Sequence, residues 1–148
     1  NSEQTQRMSP VFLNGEKSQP WVLRPTSVLK GAGSLRSSMQ DMLILLKTMM
    51  GPGDETTSAM VRLATTPTFS SGKNSEIGLF WNRLTAENII WHNGGTYGSS
   101  SFMGYIPDKK IGIVVLSNSQ FIDENGVDPR LDIASIRSLL EMAATQKK

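Results

Sequence analysis

The 148 residues are 38% hydrophobic and 19% charged, an ordinary balance for a folded unit with a real core. The net charge of +2 sits on scattered Lys and Arg, with Lys109-Lys110 and Lys147-Lys148 the only doublets, so it reads as solubility rather than a nucleic-acid stripe. The lack of cysteine excludes disulfides, thiol nucleophiles and thiolate metal sites together, and no apolar run reaches the roughly 18 residues that a membrane span needs.

The first residues do not read as a signal peptide, and no stretch fits the phosphate-binding patterns GxxxxGK[ST] or GxGxxG. Residues 1–30 are polar and turn-rich, with Pro10, Pro20, Pro25 and Asn14-Gly15, and predict an irregular lead-in. Residues 31–66 predict a helical segment. Ser37 with Gln40 forms a capping-box pattern, and Met39, Met42, Leu43, Leu46, Met49 and Met50 follow at helical spacing before the stop Gly51-Pro52-Gly53. A methionine stripe at that spacing is core filling rather than a binding groove. Thr56 or Thr57 opens a shorter amphipathic stretch, which Pro67 ends.

Between residues 76 and 118 the period changes. Ile77 to Trp81, Asn88 to Trp91, Ser101 to Ile106 and Ile111 to Leu116 are strand candidates rich in β-branched and aromatic residues. Their short connections favour antiparallel neighbours, with Pro107-Asp108-Lys109-Lys110 as a hairpin turn. Ile111 to Leu116 is almost continuously apolar, as for a central strand buried on both faces. Residues 130–146 predict a closing helix, with Leu131, Ile133 or Ala134, Ile136, Leu139 or Leu140 and Ala143 on one face. Asp132 and Lys147-Lys148 suit its dipole. The order predicts one α+β domain over residues 1–148, an antiparallel β-sheet flanked by helices.

The densest group of unusual residues is His92-Asn93-Gly94-Gly95-Thr96, directly after a strand and just before Gly98-Ser99-Ser100-Ser101. A lone histidine beside a tryptophan is by itself more often structural than catalytic. Paired glycines at a strand end, however, let a ligand reach the backbone and leave an N–H to donate, which is how an oxyanion hole is made. One histidine cannot build a histidine-rich metal site, so neither metal nor cofactor is expected.

His92-Asn93-Gly94-Gly95-Thr96 resembles the HTGG variant of the Lys-Thr-Gly motif in class C β-lactamase-like esterases and peptidases, within the serine β-lactamase and penicillin-binding-protein family. Flanking segments agree in order. Gly31-Ala32-Gly33-Ser34-Leu35 with Ser37, Asp41 and Met42 resembles aGGL-S-DM, and Gly78-Leu79-Phe80-Trp81 resembles YGLGW. Gly98 to Phe102, Ile106-Pro107-Asp108 and Gly112 to Asn118 resemble GxxSF, the xxP-D/E hairpin and the GxVVLxN strand. The resemblance covers residues 28 to 118 and implies the C-terminal part of a β-lactamase-like fold, with the site between a sheet edge and a helical lobe.

The resemblance implies that His92 lies on the edge strand, occupies the lysine position and assists substrate binding and proton movement. Asn93 replaces the usual threonine, Gly94 is the motif glycine, the Gly95 N–H is one oxyanion donor, and Thr96 joins Asn93 and Gly94 in binding substrate. The family also needs Ser-x-x-Lys at a helix start and a Tyr-x-Asn or Ser-x-Asn element. Ser27-Val28-Leu29-Lys30 and Ser70-Ser71-Gly72-Lys73 fit the first string, but eighteen serines and eight lysines give about one such match by chance. Both strings read as loop, because glycines crowd them. Tyr97 and Tyr105 lack the following asparagine, and Ser99, Ser100 and Ser101 lack a GxSxG elbow and read as strand-edge polar residues.

The expectation is therefore a fragment of a serine hydrolase, bacterial and periplasmic or envelope-attached like its relatives, silent alone and acting on an ester, a D-amino-acid peptide or a β-lactam. Its expected partner is the missing N-terminal part of the same protein, or a second copy paired through an exposed sheet edge. A non-catalytic binding or scaffold module with a degenerate fold is the alternative.

Overall fold

Residues 2–24, 26–123 and 133–146 are described by a computed structural model. In chain order the elements are α1 (Ser2–Gln6), β1 (Val11–Leu13), β2 (Glu16–Ser18), α2 (Lys30–Gly33), α3 (Met39–Met50), α4 (Glu55–Thr65), β3 (Phe69–Gly72), β4 (Ser75–Ile77), β5 (Asn82–Leu84), β6 (Ile89–Thr96), β7 (Ser99–Ile106), a 3-10 turn (Pro107–Lys109), β8 (Ile111–Ser117), β9 (Ser119–Gln120) and α5 (Ile133–Gln146). They group into two units, one of Asn1–Arg36, Gly94–Ser101 and Leu116–Asp132, the other of Ser37–Asn93, Phe102–Val115 and Ile133–Lys148. Helices and antiparallel strands mix along the chain, and the fold is α+β.

In the first unit the residues expected to be irregular contain α1 and a β-hairpin. Asn14 and Gly15 sit at φ 51° and 86°, the backbone sign of the tight turn that matches strand twist, and they set the register Val11↔Ser18 and Leu13↔Glu16. Three-residue strands with charged Glu16 and Lys17 carry too little apolar signal to be seen in the sequence. The hairpin is completed by β9, which runs parallel to β1 with Phe12 opposite Ser119. The Phe12 N–H donates to the Asn118 carbonyl at 2.9 Å, and the Ile122 N–H to Asn14 Oδ1 at 2.9 Å.

The second unit is built on α3. Its cap is Ser38, one residue later than the Ser37 pattern predicts, because Ser38 Oγ accepts from the Asp41 N–H at 3.2 Å and donates to the Asp41 carboxylate at 2.8 Å. Leu46 is buried with Ile90, Met103 and Tyr105, and Met42, Met49 and Met50 pack around them as core filling, whereas Met39 and Leu43 of the predicted stripe are exposed. α4 starts earlier than Thr56 or Thr57, because Asp54 accepts from the Thr57 N–H at 2.7 Å, and it ends at Thr65 ahead of Pro67.

On the other face of β6 and β7, Ile89 and Ile106 are buried with Leu140 of α5, and Leu84, Trp91, Ile111, Ile113 and Ala144 surround them. Neighbours Ile89 and Ile90 thus serve opposite cores, as the period of two requires. Ile136 and Leu140 take the predicted inner face of α5, with Ala144 rather than Ala143. Leu131, Asp132, Lys147 and Lys148 lie outside the described residues.

The larger sheet has the order β3-β4-β5-β6-β7-β8. Three expectations change here. β8 is not central but last in the order. Its apolar run is explained by coverage on both faces, Val114 packing on the α3 cluster and Ile111 and Ile113 on the α5 cluster. Ile77 to Trp81 is not a strand, since β4 ends at Ile77 and residues 78–81 form a turn. Polar and exposed β3, and short β5, give no periodic apolar signal and are missed from the sequence.

Candidate functional site

β6 pairs with β5 through Ile89↔Leu84, Ile90↔Arg83 and Trp91↔Asn82, and β5 begins at Asn82. β6 is therefore interior to the sheet and not the edge strand that the resemblance implies. The motif starts one residue after the last of these pairs, so His92 to Thr96 run past β5 with β7 as their neighbour. The strand is also longer than Asn88 to Trp91. Asn88 belongs to the preceding turn at φ 52°, and the motif residues continue the strand to Thr96.

His92 and Asn93 belong to the second unit, and both are exposed. The His92 imidazole meets the Trp81 indole edge-to-face, with centroids 6.3 Å apart and planes at 76°, and among the described residues it makes no hydrogen bond. Trp81 also meets Tyr105 edge-to-face, at 6.3 Å and 77°. Tyr105 is 1% exposed, and burial pushes its hydroxyl up to about 12 against the opposing charge of Arg83. A phenol held neutral in this way is a packing element rather than a base.

Gly94, Gly95 and Thr96 belong to the first unit, the glycines exposed and Thr96 half-buried. The Gly94 carbonyl accepts from Ser101 Oγ at 3.4 Å. A side chain at Gly95 would place its Cβ 2.5 Å from Nε2 of Gln120, while Gln120 Oε1 accepts from the Gly98 N–H at 3.4 Å. Gln120 on β9 thus lies over the motif glycine and holds the turn that follows it.

Two residues of the serine run are tied into the fold. Ser101 bonds the Gly94 carbonyl, and buried Ser100 donates to the Ser119 carbonyl at 3.3 Å. Of the two Ser-x-x-Lys strings, Ser27 precedes the four-residue α2 and accepts from the Leu29 N–H at 3.2 Å. Ser70 lies on β3, with Lys73 in the turn beyond it. Neither serine starts a helix that would bring the lysine nitrogen to the hydroxyl.

Among the described residues no group of three or more His, Asp or Glu side chains is placed to hold a metal ion, and no helix is long and apolar enough to cross a membrane. The family described as Beta-lactamase matches residues 3–137. The chain belongs to this family of serine β-lactamase and penicillin-binding-protein-like proteins. No curated protein matches the chain.

Two residues of this site escape sequence reasoning. Trp81 is visible in the sequence as part of a strand candidate and of the segment resembling YGLGW, but neither marks a contact with His92, because that ring contact depends on the turn that replaces the strand. Gln120 lies two residues beyond the last matching segment, and its alternation with Asn118 along the chain is the signal that would have marked it.

Proposed function

We propose that this chain is the C-terminal part of a serine hydrolase working through an acyl-serine, with His92-Asn93-Gly94-Gly95 as its third active-site motif and the nucleophile supplied from elsewhere in the protein. The observation that carries the reading is the motif's setting in a β-lactamase-family chain. An exposed histidine, whose imidazole makes no hydrogen bond among the described residues, and two exposed glycines continue β6 past the end of its β5 pairing. There His92 takes the role of the family's lysine in substrate binding and proton movement. The Gly95 N–H donates to the carbonyl oxygen as negative charge develops, and Asn93, Gly94 and Thr96 line the bound acyl group.

Acyl transfer is common to esters, D-amino-acid peptides and β-lactams, and the motif serves each of them. Asn93 in place of threonine keeps a polar group but alters the geometry offered to a substrate carboxylate, which bears on β-lactams and carboxylate-ended peptides more than on esters. Exposed Leu43, Ile44 and Leu45 on α3, with Met60 and Leu63 on α4, support pairing with an N-terminal part of the same protein or with a second copy.

Hydrolysis of an activated acyl ester by this chain and by the full-length protein, each with a His92→Ala companion, tests the proposal. Turnover by the full-length protein alone, depressed by His92→Ala, is expected. Turnover by the isolated chain would place the nucleophile within it, with Ser27 the first suspect.

A further inference from the structure

The imidazole of His92 is exposed and has no hydrogen bond among the described residues to set its orientation, yet a histidine that moves protons must present a defined nitrogen to its partner. Its described ring contact is Trp81. The way Trp81 is delivered to that contact is unusual for this backbone.

The turn before Trp81 is pinned at both ends. The Leu79 N–H donates to the Ala64 carbonyl at 2.9 Å, and the Gly78 N–H donates to the carbonyl of Trp81 itself at 2.8 Å. Gly78 is buried so tightly under the end of α4 that a Cβ there would lie 2.7 Å from the Ala64 oxygen and 2.9 Å from the Thr66 oxygen. Between these anchors Phe80 adopts φ 68°, a left-handed conformation that bulky residues avoid, with its side chain 83% exposed. The phenyl ring gains little packing in return for the strain. What the turn does achieve is to bring the Trp81 indole edge-to-face with both buried Tyr105 and His92. Strained backbone of this kind persists where the surroundings over-determine it, and such places cluster at functional sites.

We infer that Trp81 is a positioning residue for His92: the anchored turn of residues 78–81 holds its indole edge-to-face with both Tyr105 and the imidazole, and so fixes the imidazole in the orientation that acyl transfer uses. The inference rests on the acyl-transfer reading for its purpose, but not for its geometry. Trp81 acts through His92 and needs no contact with substrate.

With one histidine in the chain, the carbon-bound imidazole protons give a single pair of NMR signals that report on His92 directly. In the unsubstituted chain these protons should show nuclear Overhauser contacts to the Trp81 indole and shifts displaced from those of an unstructured histidine. Trp81→Leu should return them to the unstructured positions, and Trp81→Phe, which keeps a ring, should restore part of the displacement. In the full-length protein Trp81→Leu should lower kcat for the activated ester about tenfold to a hundredfold, as for a catalytic group displaced by about 1 Å, with KM changed much less and Trp81→Phe recovering most of the loss.

Absence of the Overhauser contacts in the unsubstituted chain overturns the proposal, even if Trp81→Leu fails to fold. Imidazole signals unmoved in a folded Trp81→Leu chain also overturn it, as does an unchanged kcat once the signals have moved. A full-length protein that hydrolyses no ester before substitution defeats the acyl-transfer reading instead, and the ring contacts seen by NMR then stand apart from it.

Discussion

Replacing Phe80 with glycine should stabilise the protein, although it deletes a large apolar side chain. Holding an L-residue in the left-handed region costs roughly 1–2 kcal/mol, and glycine enters that region freely. Phe80 is 83% exposed, so only about a sixth of the roughly 3 kcal/mol available to a buried phenyl is lost, or about 0.5 kcal/mol. Part of the remaining gain is offset by the greater freedom of glycine in the unfolded chain, roughly 0.5 kcal/mol at the low end. The net is a stabilisation of about 0.5 kcal/mol, which corresponds to about 1–2 °C in Tm for a chain of this length. At an m-value of roughly 2 kcal/mol per molar urea, the midpoint rises by about 0.25 M. Urea unfolding followed by circular dichroism checks it, with Phe80→Ala as the control. Alanine keeps the strain and loses the contact, so it should fall slightly below the parent while glycine rises above it. If glycine and alanine shift the midpoint equally, or glycine lowers it, backbone strain at residue 80 is not the controlling quantity.

Leu140→Ala empties a site that is 1% exposed between Ile89 and Ile106, and should destabilise by about 3 kcal/mol in the same urea assay. Asp54→Ala should lower the urea midpoint at neutral pH. The hydrogen bonds from Thr57 hold the Asp54 carboxyl below its ordinary range, so its contribution is present above the unfolded value and lost as pH falls through the folded one. The deficit of the variant should therefore narrow below about pH 4. Tyr105 works in the opposite direction. Burial raises its hydroxyl to about 12, so the folded state holds a proton that the unfolded state releases, and stability should fall as pH rises from about 10 towards 12. Unfolding midpoints across that range, with Tyr105→Phe as the control whose alkaline loss is smaller, check the sign. Asn88→Gly should destabilise despite the positive φ of Asn88. Its amide accepts from Arg83 at 2.8 Å and donates to Asp108 at 2.7 Å, and urea midpoints should show the loss of both bonds outweighing the relief of strain.

The parts of the fold that were legible in the sequence are those with a long apolar period. α3 with its methionines, the strands ending at Ile106 and at Ser117, and the inner face of α5 through Ile136 and Leu140 each bury several side chains on one side, and periodicity reports that directly. The illegible parts have in common that they carry no apolar period long enough to read. β1 and β2 are three residues each and depend on β9, more than 100 positions on. β3 is exposed throughout and is held by backbone pairing with β4, to which side-chain pattern is blind. β8 was read as central because an apolar run signals two covered faces. Coverage of faces and pairing of edges are separate properties, and only the first is written in composition.

The same distinction explains the site. The motif His92 to Thr96 could be found because it is contiguous, and so are the flanking segments on which the resemblance rests. What the motif needs around it is not contiguous. The orientation of His92 depends on Trp81, and Trp81 is aimed by a turn that the sequence disguises as a strand, since Ile77-Gly78-Leu79-Phe80-Trp81 has the apolar content of one. The conflict is physical and appears only in three dimensions. Gly78 packs against the carbonyls closing α4, so the chain cannot continue straight there, and Phe80 must turn through a region its own side chain disfavours. Gln120 in turn covers Gly95 because β9 pairs with β1 next to the turn at Gly98. The residues that would carry the reaction are therefore local in sequence, whereas those that aim them are set by tertiary contacts, and substitutions at Trp81 and Gln120 separate the two more sharply than substitutions within the motif.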